Sequence, residues 1–193
     1  MSFFNETVAA YLANRAISAS LLVHMEFRDT PRRWWQGFGW LEADGQLWQG
    51  TGGLISVDGL EAPLDTVAAG TTFTLAGVEP DMVALAKSGS DRVSGRPVTV
   101  FVQFFHVNDE NEVFQKLDNP FVIWSGEMDQ ISYTADGPQS RVITVSAEGI
   151  WVDRSRPAFG LYTDRDQRAR FPGDRGLEQV ADLVNKTIRW PDF

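Results

Sequence analysis

The only imidazoles in this 193-residue chain are His24 and His106, and it contains no cysteine. Without thiols there are no disulfide scaffolds, thiolate metal centres or cysteine nucleophiles. Two histidines in strand-like runs, with no carboxylate pattern beside them, make a poor metal site and read as ordinary strand residues. Gly50-Thr51-Gly52-Gly53 has the look of a phosphate-cradling loop, but such loops aim N–H groups from a helix that follows. Here strand-like residues follow and no Lys-Ser or Lys-Thr pair completes the motif, so a tight turn or bulge is expected. Asp164 and Asp166, with Glu148 and Asp174, are the best acidic set for Mg²⁺ or general acid–base work, where one carboxyl must be protonated beside a charged one. They are interleaved with Arg154, Arg156, Arg165, Arg168, Arg170 and Arg175, a density that favours ion pairing or an interface. No Gly-x-Ser-x-Gly elbow occurs. The chain is therefore read as a non-enzyme, with no catalytic, cofactor-binding or metal-binding residues and no cofactor.

Seven tryptophans stand out: Trp34, Trp35, Trp40, Trp48, Trp124, Trp151 and Trp190. The first four crowd one hairpin. Such a cluster serves as a sugar-stacking platform, as an oligomer interface, where Trp and Arg are enriched, or simply as core. With Arg28, Arg32 and Arg33 adjacent, an aromatic interface of Trp34, Trp35 and Trp40 is favoured, and core packing is its close competitor.

These residues need elements to hold them. A hydrophobic share of 43% against 22% charged is a globular balance, and the length suits one domain. Phe4, Val8, Tyr11 and Leu12 recur at helical spacing, which predicts a helix over 3–14. From Ile17 the period becomes two, with Leu21, Val23, Met25 and Phe27 on one face of a strand. Pro31 breaks the chain. Runs at 34–41 and 46–48 flank Asp44-Gly45, a good hairpin signal. Further strands are expected at 54–57, 73–78, 98–107, 112–117, 121–124, 128–133 and 141–147, with a helical turn at 80–87. About nine short strands with near-regular turns predict a mainly β fold: an antiparallel β-barrel or sandwich with an N-terminal and a C-terminal helix. Leu177, Val180, Ala181 and Val184 place the latter over 174–186, with Asp174 near its start. The expected organisation is a single domain, 1–193: an N-terminal helix in 1–15, the barrel or sandwich in 17–152, and a loop plus helix in 153–193.

Lys and Arg number 17 against 26 Asp and Glu, a formal net charge of −9. That sign argues against sequence-reading nucleic-acid binding, which draws its affinity from neutralised phosphates. No apolar run approaches the roughly 20 residues of a membrane span, and no basic n-region precedes an apolar stretch. The expectation is a soluble protein without a readable export signal or membrane insertion.

The last third carries the most distinctive sequence. Arg154-Ser155-Arg156-Pro157 leads to Tyr162-Thr163-Asp164-Arg165-Asp166-Gln167. Arg170-Phe171-Pro172-Gly173-Asp174-Arg175-Gly176-Leu177 follows, and Ile188-Arg189-Trp190 nearly ends the chain. This run resembles one recurring in tail-tip proteins of long-tailed phages (siphophages) and gene transfer agents: distal tail, baseplate and hub-like minor tail proteins. Upstream, Phe73-Thr74-Leu75-Ala76-Gly77-Val78, the strand beginning at Val98, and Trp124-Ser125-Gly126-Glu127-Met128-Asp129 appear in similar order. The resemblance implies a structural virion protein, a β-barrel-type subunit of a threefold or sixfold homo-oligomeric ring between tail tube and hub. Its implied partners are further copies of itself and the tail tube, hub and tape-measure proteins. DNA passes through without specific binding, and assembly in the bacterial host cytoplasm precedes residence in the virion tail. Some hub relatives carry an iron–sulfur cluster on cysteines. This chain has none, so the cluster is not carried over, and a distal-tail ring or compact hub-like adaptor fits better. The candidate inter-subunit contacts are Arg154, Arg156, Tyr162, Asp164, Gln167, Arg168, Arg170, Asp174 and Trp190, with the arginines pairing to acidic patches of a neighbour. Two other classes compete: a carbohydrate-binding β-sandwich at the host-contact end using Trp34, Trp35 and Trp40, and a hydrolase using Glu148 or Asp164.

Overall fold

The computed structural model describes residues 4–52, 54–61, 69–76, 80–87, 90–106, 115–136, 140–155, 161–183 and 186–187. The chain forms two compact units, Met1–Val152 and Asp153–Phe193. The first is mainly β, one mixed nine-stranded sheet with few helices. Its strands are β1 (Ser18–Met25), β2 (Arg32–Trp35), β3 (Trp40–Ala43), β4 (Gln46–Gly50), β5 (Ile55–Asp58), β6 (Gly70–Ala76), β7 (Arg96–Phe105), β8 (Phe121–Asp136) and β9 (Ser140–Gly149). They lie in the order β3-β4-β2-β1-β7-β8-β9-β6-β5. All pairings are antiparallel except β2 with β4, so the sheet is mixed rather than purely antiparallel.

Alternation along the strands sorts the core into two clusters. Val23, Met25, Trp34, Phe73, Leu75, Val98, Val100, Ile143 and Val145 belong to one. Leu22, Trp35, Leu41, Trp48 and Phe105 form the other. Val23 pairs with Trp34 and Leu22 with Trp35. Because successive side chains point to opposite faces, neighbouring tryptophans serve opposite clusters.

Helix α1 (Glu6–Leu12) falls inside the expected span and is capped by Asn5, whose side chain accepts from Val8 N. It buries Val8 and is tied to the sheet by Tyr11. That hydroxyl donates to Phe105 O at 2.6 Å and accepts from Ser18 N at 2.9 Å. Helix α2 (Pro80–Lys87) packs on β8 and β9 through Met82 and Leu85, and Lys87 Nζ lies 5.4 Å from the Tyr133 ring centre.

Three expectations shift. The single run at 34–41 is two strands, β2 and β3, separated by residues 36–39. The runs at 121–124 and 128–133 are one long strand, β8, with its irregularity between Met128 and Gln130. Gly126 permits this continuity, since a Cβ there would lie 2.2 Å from Glu148 O. Of the return strand expected at 112–117, residues 112–114 lie outside the described residues, and Lys116 makes an isolated bridge to Phe105.

In the second unit, helix α3 (Asp164–Arg170) occupies a stretch expected as loop. The amphipathic helix expected over 174–186 is a six-residue 3₁₀ helix, Glu178–Leu183, with no buried residue. Val184 lies outside the described residues. The physical cause is visible in composition. Gly173 and Gly176 stand at the start of that span, and beyond Leu177 the face is only Val and Ala, little apolar area to hold an α-helix. Residues 163–170 have an N-cap, acids in the first turn and arginines in the last.

Candidate functional site

The expected aromatic surface divides. Trp34 and Trp35 are core residues, and Trp40 alone of the three is exposed, at 66%. Trp34 lies edge-on to Phe27, while Trp35 packs beside Phe105 and donates from Nε1 to Gly39 O. What the first hairpin presents outward is Phe38, Trp40 and Leu47. Trp40 stands opposite Gln49 and Leu47 opposite Glu42. The two apolar residues are thus diagonal neighbours on one face of β3–β4. Phe38 lies over Gly52, where a Cβ would come 2.6 Å from its ring. β3 is also an edge of the sheet, so among the described residues no strand pairs with its outer side.

Glycine geometry builds this surface. Residues 36–39 fold back on 50–52 through Gly50 N to Gly39 O at 2.7 Å and Gly52 N to Gly37 O at 2.8 Å. Gly50-Thr51-Gly52 is accordingly a close crossing of two backbones rather than an anion cradle. Gly53 lies outside the described residues. At the tip of the hairpin Asp44 and Gly45 have φ of 52° and 65°, the paired positive values of a type I′ turn. Behind the hairpin a cavity of about 170 Å³ is lined by Arg32, Trp34, Thr51, Ile55, Leu75 and Met82 among others.

Two pairs of the expected contact residues of the C-terminal segment engage each other, Asp164 with Arg168 and Gln167 with Asp174. Thr163 caps α3 by accepting from Asp166 N. Arg168 bonds Asp164 at 3.0 Å and reaches Glu178 at 3.6 Å. Arg170 pairs with Asp166 at 3.1 Å, and Arg175 with Glu178 at 2.7 Å. Asp174 does not cap a helix. It accepts from Gln167 Nε2 and Gly176 N, both at 2.7 Å, and these bonds hold its carboxyl below the usual range. Such exposed i,i+4 pairs fix local shape more than they add stability. Tyr162, 78% exposed, and Leu161, 72% exposed, line a cleft of about 300 Å³ with Leu177, Gln167 and Arg170. Sequence reasoning missed Leu161 and Leu177 as lining residues. Arg156 and Trp190 lie outside the described residues, and Arg154 ends near there, in the 3₁₀ helix Ile150–Ser155.

The remaining candidates disperse. His24 pairs with Thr99 in β1–β7, whereas His106 follows the Ser18–Phe105 pair. At about 3.3 Å per residue the two histidines are roughly 20 Å apart along the strands. Burial, then the opposing Arg33, lowers the His24 pKa from its ordinary 6.5, against a smaller opposite effect of Glu26. Glu148 lies in β9, in the first unit, and the other three acids lie in the second. No group of three or more His, Asp or Glu side chains gathers as a metal site among the described residues. No protein-family model matches the chain, and no curated protein gives a significant sequence match.

Proposed function

We propose that this chain is a structural subunit of the tail tip of a long-tailed phage or gene transfer agent. It builds a homo-oligomeric ring, between tail tube and hub, through which DNA passes unbound. The observation that carries the reading is the sequence run over 154–190, placed after a β-rich body of about 150 residues. Two physical features support it. The net charge of −9 repels phosphate, as the wall of a DNA conduit should. Gln36, the residue after β2, also donates from Nε2 to Ile55 O of the edge strand β5, a contact that supports the barrel reading. The carbohydrate-platform alternative loses two of its three tryptophans to the core. Gold-labelled antibody against this chain, imaged on intact particles, tests the reading. Label confined to the tail tip is expected, and label on the capsid or absent from particles overturns it.

A further inference from the structure

The β3–β4 hairpin joins the rest of the sheet through a short parallel ladder, Trp34 with Gln49 and Trp35 with Gly50, and through the crossing of 36–39 over 50–52. Its buried face brings Leu41, Ala43 and Trp48 into one cluster with Leu22, Trp35 and Phe105, the smaller of the two. A unit held by so little ladder can open by itself when that packing weakens. His24 stands beside the packing, on the same face of β1 as Leu22. Its ring lies edge-on to Trp48 with centres 6.4 Å apart, and Phe101 meets the same indole at 5.5 Å. The His24 Nε2 atom is buried and makes no hydrogen bond among the described residues. A neutral imidazole can leave that nitrogen as a bare acceptor, whereas an imidazolium puts a charged N–H there with nothing to receive it. The charged groups that act on the ring are Arg33, opposite on β2, and the exposed Glu26 just beyond β1. Thr99 and Phe101 of β7, Trp48 of β4 and Leu41 of β3 bring none.

We propose that His24 is an acid-sensitive latch: neutral, it lets Trp48 seat against β1, and protonated, it opens the β3–β4 hairpin while β8 and β9 stay paired. The latch stands on the fold alone, apart from the tail-tip reading. Burial and then Arg33 hold the imidazole below its ordinary 6.5 in the closed form. Opening returns the ring to water, so acid favours the open hairpin. The effect has a ceiling, since at pH 5.5 a histidine of ordinary pKa raises the open population by about tenfold at most.

Amide hydrogen exchange followed by NMR tests the latch, with rates corrected for the intrinsic effect of pH. Amides of 41–49 are expected to exchange through an opening that costs less than unfolding of β8 and β9 and depends little on urea. Between pH 7.5 and 5.5 that opening should grow by at least about twofold and at most about tenfold, while α1 stays level. In His24→Gln it should not change with pH, and a response that persists there overturns the proposal. The two imidazoles of the chain titrate as separate signals, and the midpoint of hairpin opening should follow His24. The proposal also fails if amides of 41–49 open only together with β8 and β9, if acid leaves their opening unchanged or slows it, or if its midpoint follows His106. These readings come from the wild-type chain, so they decide the matter even where His24→Gln does not fold.

Discussion

A Cβ added at Gly50 would lie 2.5 Å from Gly37 O and 2.6 Å from Gly39 O. Both obstacles are backbone, so no rotamer change relieves them and the crossing of 36–39 over 50–52 must open. Gly39, by contrast, has φ of 71° and nothing within 4 Å of its Cβ position. Its replacement costs only left-handed strain, about 1 kcal/mol. Gly50→Ala should therefore cost about 3 kcal/mol or more, and Gly39→Ala about a third of that, in urea unfolding. Equal losses would refute the crossing. His24 supports a second prediction. Its folded-state pKa lies below the ordinary 6.5, so on acidification the unfolded chain takes up a proton that the native state refuses. Stability is full above pH 6.5 and falls as pH drops below it, until the native histidine is protonated as well. Urea midpoints at pH 7.5, 6.5 and 5.5 should fall less steeply in His24→Gln than in the wild type. Nothing in the sequence marked this pKa shift, because it arises from burial first and then from Arg33 on the neighbouring strand.

Elements whose signals are local agree best with the sequence. Alternation located β1, helical spacing located α1, and Asp44-Gly45 located a turn whose two positive φ values need those residues. Gly45→Val should then weaken the hairpin by about 2 kcal/mol, read as a lower thermal midpoint, while Asp44→Asn should be nearly neutral. Signals that depend on distant partners were not legible. The fates of Trp34 and Trp35 depend on which cluster each face of β2 meets, and a run of aromatic residues reads alike in a core and on a surface. The Arg–Asp interleaving around 164–170 read as ion pairing or an interface, and its pairs lie within a helix capped by Thr163 that was expected as loop. Tyr11 shows the same limit for α1. Its hydroxyl links Phe105 O and Ser18 N, partners 94 and 7 residues away. Tyr11→Phe leaves both without that link and should cost about 1–3 kcal/mol, measured by chemical denaturation.

At the scale of the molecule, charge decides what kind of contact would join copies of the chain in the proposed ring. An ionic interface built by Arg168 and Arg170 would weaken with salt, since exposed pairs are screened over a Debye length of about 10 Å at 0.1 M and about 3 Å at 1 M. In the structure these arginines are held by Asp164, Asp166 and Glu178 of their own segment. Exposed aromatic and aliphatic side chains, Phe38, Trp40, Leu161 and Tyr162 among them, offer an apolar contact on a chain carrying −9. Salt then removes the mutual repulsion of like-charged copies and leaves apolar burial intact. Association measured by analytical ultracentrifugation should strengthen when NaCl is raised from 0.05 to 0.5 M, and Trp40→Ser should weaken it at both concentrations. The opposite salt response, with Trp40→Ser silent and an Arg168→Glu variant monomeric, would return the interface to the arginines.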